Sequence, residues 1–287
     1  MHSTIHPTPR GKPTKTRLRS VARIAILVIC ALPAATACRA DEPTPAAVAG
    51  FNTYIAALES RIGPQHKWPD GFVASVFADA NSRAKLQRGE PVIEKLTPAD
   101  GPALPGAMLH HWRGTAFVPG AKVADFERLM EDFAAYPKRF APQIVQARVL
   151  DRKDDGGRVS IQTVLRVRQK HVITVVMDTA YDVEFARLDA GHGFSSSRST
   201  RITEVAGVGT NDEHAMSGRE QHGFLWRLDT YWSYEERDGG LYMQIESVSL
   251  TRSIPAGLGW ALRPFVESVP RESLEFTLQA ASNALRK

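Results

Sequence analysis

The chain carries nine histidines, the residue type most often used to bind metals or to move protons near neutral pH. His110 and His111 are adjacent in an apolar stretch that is typical of a strand, so their side chains point to opposite faces and cannot share one metal ion. His214 and His222 lie in a polar segment. No His-Glu-x-x-His or comparable ligand spacing occurs. We therefore predict no metal site.

The sequence also lacks the local patterns of a catalytic nucleophile or a phosphate-binding loop. No Gly-x-Ser-x-Gly elbow is present, and the segment His192-Gly-Phe-Ser195 does not form one. Neither Gly-x-Gly-x-x-Gly nor Gly-x-x-x-x-Gly-Lys occurs. Of the two cysteines, Cys38 is too near the N-terminus for a convincing nucleophile. These patterns predict no catalytic residue and no cofactor.

The net positive charge of the chain comes from its N-terminal segment. The whole sequence has 36 basic against 31 acidic residues, a net charge of +5, which would ordinarily favour a nucleic acid or a membrane surface as partner. Residues 1–40 contain seven of the basic residues and no acidic one. Removing those seven leaves 29 basic against 31 acidic residues, a net charge of −2. We therefore expect no nucleic-acid partner.

Residues 1–40 have the organisation of a bacterial export signal. A basic segment precedes the apolar run Ile24–Leu32 and a small-residue exit, and the run is much shorter than the about 20 apolar residues that span a bilayer. Ala35-Thr36-Ala37-Cys38 resembles a degenerate lipobox, with Ala35 where such boxes usually carry Leu. Cys38 is therefore a lipidation candidate, and simple cleavage near Ala37 or Ala40 is the alternative. Both routes predict an exported protein. It would lie in the periplasm or be secreted, and a lipidated Cys38 would anchor it to an envelope membrane.

Residues 41–105 are predicted to form an N-terminal helical appendage and linker. Val48, Phe51, Ile55 and Leu58 have the spacing of one helix face, which predicts a helix over 46–62 that Gly63-Pro64 ends. A second, short helix is predicted around Phe72, Val73, Val76 and Phe77. The stretch 97–105 is rich in Pro, Gly and Ala, as a linker is.

Residues 106–287 are predicted to form one α+β domain. A strand at 107–118 and a helix at 123–134 precede six strands, predicted at 144–151, 158–168, 172–188, 194–205, 224–236 and 241–252. Asp-Gly steps at 155–156 and 238–239 indicate hairpins and hence an antiparallel sheet. A long C-terminal helix carries an apolar stripe that includes Leu274 and Leu278, and it is expected to cover the apolar face of the sheet.

This element order resembles the START-like, or SRPBCC, superfamily, which includes lipid-transfer domains, polyketide cyclases and coenzyme Q-binding proteins. The resemblance rests also on the passage Phe133-Ala-Ala-Tyr136-Pro137, and the block from Trp226 to Leu278 is similar to uncharacterised secreted bacterial members. It covers residues 106–287 and implies a helix-grip fold, in which a curved antiparallel sheet wraps around the C-terminal helix. It does not fix a function, because this fold serves transport, sensing and catalysis.

The hairpin turn at Asp238-Gly239 predicts which side chains face that helix. Counting outward pairs Tyr234 with Met243 and Trp226 with Thr251, and the side that results is aromatic with a few hydroxyls, which is typical of a pocket for an apolar ligand. The cavity-lining candidates are Trp226, Leu228, Thr230, Trp232, Tyr234, Met243, Ile245, Ser247, Ser249, Leu274 and Leu278. The opposite side, which includes Asp229, Tyr231 and Glu246, is expected to face water. Alternatively, the aromatic side chains simply fill a core.

Three functional hypotheses follow from these observations. The first is an exported protein that binds a lipid or another hydrophobic small molecule between the sheet and the C-terminal helix. The second is a cyclase- or hydrolase-like enzyme that uses polar groups in the same cavity. The third is a non-catalytic scaffold with a filled core that binds another protein. A wide apolar cavity supports the first, convergent acid–base groups the second, and a solid core the third.

Overall fold

The computed structural model describes residues 42–67, 71–73, 79–97, 104–170, 173–254 and 259–286, with side chains of the last range described from residue 266. The predicted export signal with Cys38 lies outside these residues, as do Val76 and Phe77 of the predicted second helix. No helix of the described ranges is long and apolar enough to cross a membrane.

The described chain contains five α-helices, one 3-10 turn and nine strands. The helices are α1 Pro45–Gln65, α2 Ala80–Gln87, α3 Val123–Glu131, α4 Tyr136–Arg139 and α5 Gly259–Leu285, and the 3-10 turn is Phe133–Ala135. The strands are β1 Val92–Lys95, β2 Ala107–Pro119, β3 Ile144–Asp154, β4 Arg158–Lys170, β5 Thr174–Arg187, β6 His192–Ala206, β7 His214–Ala215, β8 Arg227–Arg237 and β9 Gly240–Arg252.

All strand pairs are antiparallel, and the strands form one sheet in the order β1-β2-β9-β8-β6-β5-β4-β3, with β7 added to β6. Helix α5 packs on one face, where Leu274, Leu278, Ala281 and Leu285 join a core with residues of strands β2, β8 and β9. We call this the inner face. The predicted α+β helix-grip fold is therefore confirmed.

The opposite side of the sheet, which we call the outer face, is covered by α1. Thr44 caps this helix, because its hydroxyl oxygen accepts a hydrogen bond from the Ala47 N–H at 3.1 Å, and Pro45 fills the first helical turn, where no N–H is needed. Its apolar stripe, including Phe51, Ile55 and Leu58, packs against side chains of strands β2, β8 and β9. The expectation that this face of the β8–β9 hairpin meets water is therefore wrong.

Several elements were not predicted, among them β1, α2 and β7, and several boundaries differ: α1, for example, continues through Gly63-Pro64 to Gln65. Strand β1 extends the sheet beyond β2, and α2 packs Leu86 against Phe117 of β2. The helix predicted over 123–134 ends at Glu131 instead, because Asp132 leaves the helical region with φ −84° and ψ 71°. Pro137 then lies in the first turn of α4, a position that suits proline, and does not end a helix there.

Candidate functional site

The inner face has an open row of side chains across its four central strands. Strand register brings Ser197, Thr230, Ser247 and Trp112 side by side, on β6, β8, β9 and β2. All four lie in mid-strand on the face toward α5, yet each remains half-buried. Because mid-strand residues beneath a well-packed helix are normally fully buried, α5 does not close over this row.

The neighbouring row, two residues further along each strand, is packed solid. It consists of Ser195, Trp232, Ile245 and Gly114, all buried. Gly114 lies directly beneath α5, and a Cβ added there would be 2.5 Å from Leu274 Cδ2. The boundary between fully buried and half-buried side chains therefore falls between these two rows.

Helix α5 shows the same boundary. Leu274 and Leu278 are 3% and 0% exposed. Val266 and Pro270 belong to the same stripe of the helix, eight and four residues before Leu274, but both are only half-buried. The C-terminal half of α5 thus packs tightly on the sheet, whereas Val266 and Pro270 before it are less buried.

The structure places the cavity-lining candidates at three locations: the open part of the inner face, the packed core and, for Trp226, the outer face. Leu228, Thr230 and Ser247 are half-buried at the open part of the inner face, with buried Ser249 beside them. A second group fills the packed core, as the alternative interpretation expected: Trp232, Tyr234, Met243, Ile245, Leu274 and Leu278.

Trp226 is a correction, because it does not share the inner face. Strand β8 begins only at Arg227, so the pairing of Trp226 with Thr251 that simple counting predicts does not form. The Trp226 N–H donates to the Leu250 carbonyl at 2.8 Å, and its ring packs with the outer-face cluster of α1.

Strand β2 supplies two residues of the inner face that the sequence reasoning missed. Trp112 lies opposite Ser247, and its indole Nε1 is buried with no hydrogen-bond partner among the described residues. His110 lies opposite Ser249, and its Nε2 is 3.1 Å from Thr251 Oγ1. Extending the register count from β9 to β2 would have found both.

The electrostatics of this end of the inner face are close to neutral. Burial lowers the pKa of His110 to about 4, helped by the positive charge of Lys95, while Glu267 opposes the change, so the imidazole is uncharged near pH 7. Lys95 Nζ lies 3.6 Å from Glu267 of α5 and 6.0 Å from the centre of the Trp112 ring. That ion pair is exposed at the rim, on both partners.

The outer face holds a buried polar network that looks like acid–base machinery. Tyr54 Oη lies 2.9 Å from His111 Nδ1, and His111 Nε2 lies 2.9 Å from Glu246 Oε2, which Arg61 also contacts. Burial alone would raise the pKa of Glu246, but the hydrogen bond from His111 and the charge of Arg61 outweigh it and lower that pKa.

This network attaches α1 to the sheet. Tyr54 and Arg61 belong to α1, whereas His111 and Glu246, each 3% exposed, belong to β2 and β9. Two cavities among the described residues, one of about 440 Å³ between α4 and α5 and one of about 200 Å³ beside α3, touch neither this network nor the open row. No cluster of potential metal ligands occurs within the described ranges. We therefore interpret the network as a structural contact.

Comparison with known proteins gives weak likenesses to solved structures. No family model and no curated protein matches the chain. Among solved structures, the Zhui aromatase/cyclase from Streptomyces sp. R1128 is 14% identical with a TM-score of 0.40, covering 61% of this chain and 93% of that one. A STAR-related lipid transfer protein from Xanthomonas axonopodis is 15% identical with a TM-score of 0.35, covering 65% and 98%. The human StarD13 lipid transfer and protein localization domain is 11% identical with a TM-score of 0.38, covering 75% and 98%.

These scores are low, so the fold assignment depends on the strand order and on the helix across the sheet described above. On those features the chain has a helix-grip fold. The function of the three similar proteins does not transfer with it.

Proposed function

We propose that this protein binds a lipid or another hydrophobic small molecule between the inner face of the sheet and the N-terminal half of α5. The observation that carries the proposal is the open row of Ser197, Thr230, Ser247 and Trp112 directly beside a fully packed row. A protein that needed only a filled core would gain stability by closing this row, since buried apolar area contributes about 25 cal/mol per Å².

The chemistry of the row fits such a ligand. Trp112 and Leu228 offer apolar surface, and the hydroxyls of Thr230 and Ser247 form no hydrogen bond with any described residue. Apolar walls with a few polar groups that converge on the ligand are typical of small-molecule sites. The packed row behind them, with Trp232 and Ile245, gives these walls a rigid support.

The proposal includes export. The basic segment, the short apolar run Ile24–Leu32 and the small-residue exit support transfer out of the cytoplasm, and Cys38 supports attachment to an envelope membrane. Incorporation of labelled palmitate into the wild-type chain, lost in Cys38→Ala, tests the attachment. Wild-type protein without label would leave simple cleavage near Ala37 or Ala40 as the route.

Filling the open row tests the binding site. Thr230→Trp places a large ring in the middle of the row, whereas Thr200→Trp adds the same ring at an exposed position on β6. We expect the neutral fluorescent probe N-phenyl-1-naphthylamine to bind the wild type and Thr200→Trp alike, and to bind Thr230→Trp at least about tenfold more weakly, since a filled pocket loses the buried apolar contact. Equal affinity in both variants, measured where both remain folded by circular dichroism, would refute the site.

A further inference from the structure

The indole of Trp112 offers a hydrogen bond that the protein does not use. Its Nε1 is buried and has no partner among the described residues. A buried N–H without an acceptor is destabilising because it has lost its hydrogen bond to water, and the indole nitrogen can only donate. Native structures rarely retain such a group, so an unpaired one needs a physical explanation.

The position of Trp112 indicates what kind of group could accept the hydrogen bond from its indole N–H. The residue lies in the open row, opposite Ser247, where the proposed ligand would contact the sheet. Gly114, two residues further along β2, already lies beneath Leu274 in the packed core. Trp112 is therefore the donor on β2 that stands where the core ends and the open space begins.

The surroundings of Trp112 indicate the charge of the partner. In register, Lys95 of β1 and Ser247 of β9 lie directly opposite Trp112. The imidazole of His110, which burial keeps neutral near pH 7, and the hydroxyl of Ser249 lie two residues further along the same strands. Lys95 is paired with Glu267 at the exposed rim, so its charge is already compensated. A buried anion in this position would have no uncompensated positive charge among these groups, which is unfavourable because the anion loses its hydration on burial.

We propose that the ligand is an uncharged apolar molecule with a carbonyl oxygen, as in a ketone, an ester or an amide, and that this oxygen accepts a hydrogen bond from Trp112 Nε1. This proposal rests on the proposed function, because it assigns a subsite within the same binding site. The carbonyl satisfies the buried N–H, and the remainder of the molecule covers the open row.

Three naphthalene probes separate this subsite from binding in general. They are the ketone 6-propionyl-2-dimethylaminonaphthalene, the carbonyl-free 2-dimethylaminonaphthalene, and the anionic 6-dimethylamino-2-naphthoate. We expect the wild type to bind the ketone most tightly. In Trp112→Phe the ketone should lose about three- to tenfold in affinity, the range of one hydrogen bond, while the affinity of the carbonyl-free probe stays within twofold.

The outcomes distinguish the two proposals. If none of the probes binds the wild type, the proposed function itself fails. A second outcome is that the probes bind while Trp112→Phe lowers the affinity for the ketone and for the carbonyl-free probe equally, or lowers neither affinity. In that case the subsite is refuted and the binding site stands. Tightest binding of the naphthoate would overturn the neutral class of ligand.

An infrared measurement on the wild type keeps the subsite testable should Trp112→Phe not fold. The carbonyl stretch of the bound ketone, isolated by carbon-13 labelling, should lie at lower frequency than in an alkane solvent, because a hydrogen bond weakens the C=O bond. An alkane-like frequency in the bound state would overturn the assignment.

Discussion

Asp229 gives a direct test of whether α1 covers the outer face in solution. This carboxylate lies on β8, is 6% exposed, and accepts a hydrogen bond from the Ser199 N–H at 3.1 Å. Burial raises its pKa from the ordinary 3.8 to about 6, although the Ser199 hydrogen bond and the charge of Arg198 oppose the change. The residue beside it, Tyr231, donates to Glu59 of α1 at 2.7 Å.

The raised pKa predicts how stability depends on pH. A carboxyl group with a higher pKa in the folded than in the unfolded state stabilises the fold fully below the unfolded pKa, and this contribution is lost as the pH rises through the folded pKa. The difference between 3.8 and about 6 corresponds to about 3 kcal/mol, at about 1.4 kcal/mol for each tenfold change in acidity. Between pH 4 and pH 7 the ionising Asp229 should therefore destabilise the protein progressively.

Asp229→Asn removes this ionisation and keeps an acceptor for the Ser199 N–H. At pH 8 we expect the variant to exceed the wild type by about 1–3 kcal/mol in free energy of unfolding, the lower end allowing for lost attraction to Arg198. Near pH 4 the two should be nearly equal, because the wild-type carboxyl is then protonated in the folded state. Urea denaturation at both pH values measures the difference.

Asp182→Asn is the matched control. Asp182 is an exposed strand residue on β5 that accepts a hydrogen bond from Gln162 Nε2 at 3.2 Å, and an exposed substitution of this kind should change stability by less than about 0.5 kcal/mol at either pH. If Asp229→Asn were no more stable than the wild type at pH 8, Asp229 would be solvated and the covering of the outer face by α1 would be refuted.

Two further substitutions test the packing on either face of the sheet. Phe51→Ala removes a ring of α1 that is 2% exposed and should lower the free energy of unfolding by about 3 kcal/mol. Asn52→Ala, on the exposed side of the same helix, should change that free energy by less than about 0.5 kcal/mol. Urea denaturation measures both, and equal effects would contradict the packing of α1 on the sheet. Gly114→Val crowds Leu274 and should lower the thermal midpoint by an amount equivalent to about 1–3 kcal/mol, and an unchanged midpoint would mean that α5 does not press on β2.

The sheet was predictable from the sequence because its signals are local. The Asp238-Gly239 turn fixes the register of β8 and β9, and the observed pairs Tyr234 with Met243 and Trp232 with Ile245 are those that counting from the turn predicts. Alternation of apolar and polar residues then assigns the inner face. The apolar stripe of α5 identifies the element that covers it.

The burial of the outer face could not be predicted in this way. Asp229, Tyr231 and Glu246 alternate with apolar residues, a pattern that normally indicates solvent. They are buried because α1, distant in sequence, brings the partners they need: Glu59 for Tyr231 and Arg61 for Glu246. Such pairing depends on contacts between residues more than a hundred positions apart, which no local pattern contains.

The open row was predicted only in part for a related reason. Alternation identifies every inner-face residue equally, so Thr230 and Trp232 both became candidates. Which of them lines open space depends on how closely α5 approaches each row, and the small Gly114 lets Leu274 approach only at one end. Trp226 was misplaced because the strand begins at Arg227, three residues later than predicted.

We propose that the open row of the inner face holds a hydrophobic molecule. Native mass spectrometry of the full-length protein, purified without detergent from cells that naturally produce it, tests this most directly. We predict a species heavier than the protein alone, whose extra mass is released on denaturation and is absent from Thr230→Trp. A wild-type protein that carries no such mass and also binds none of the neutral probes would contradict the claim.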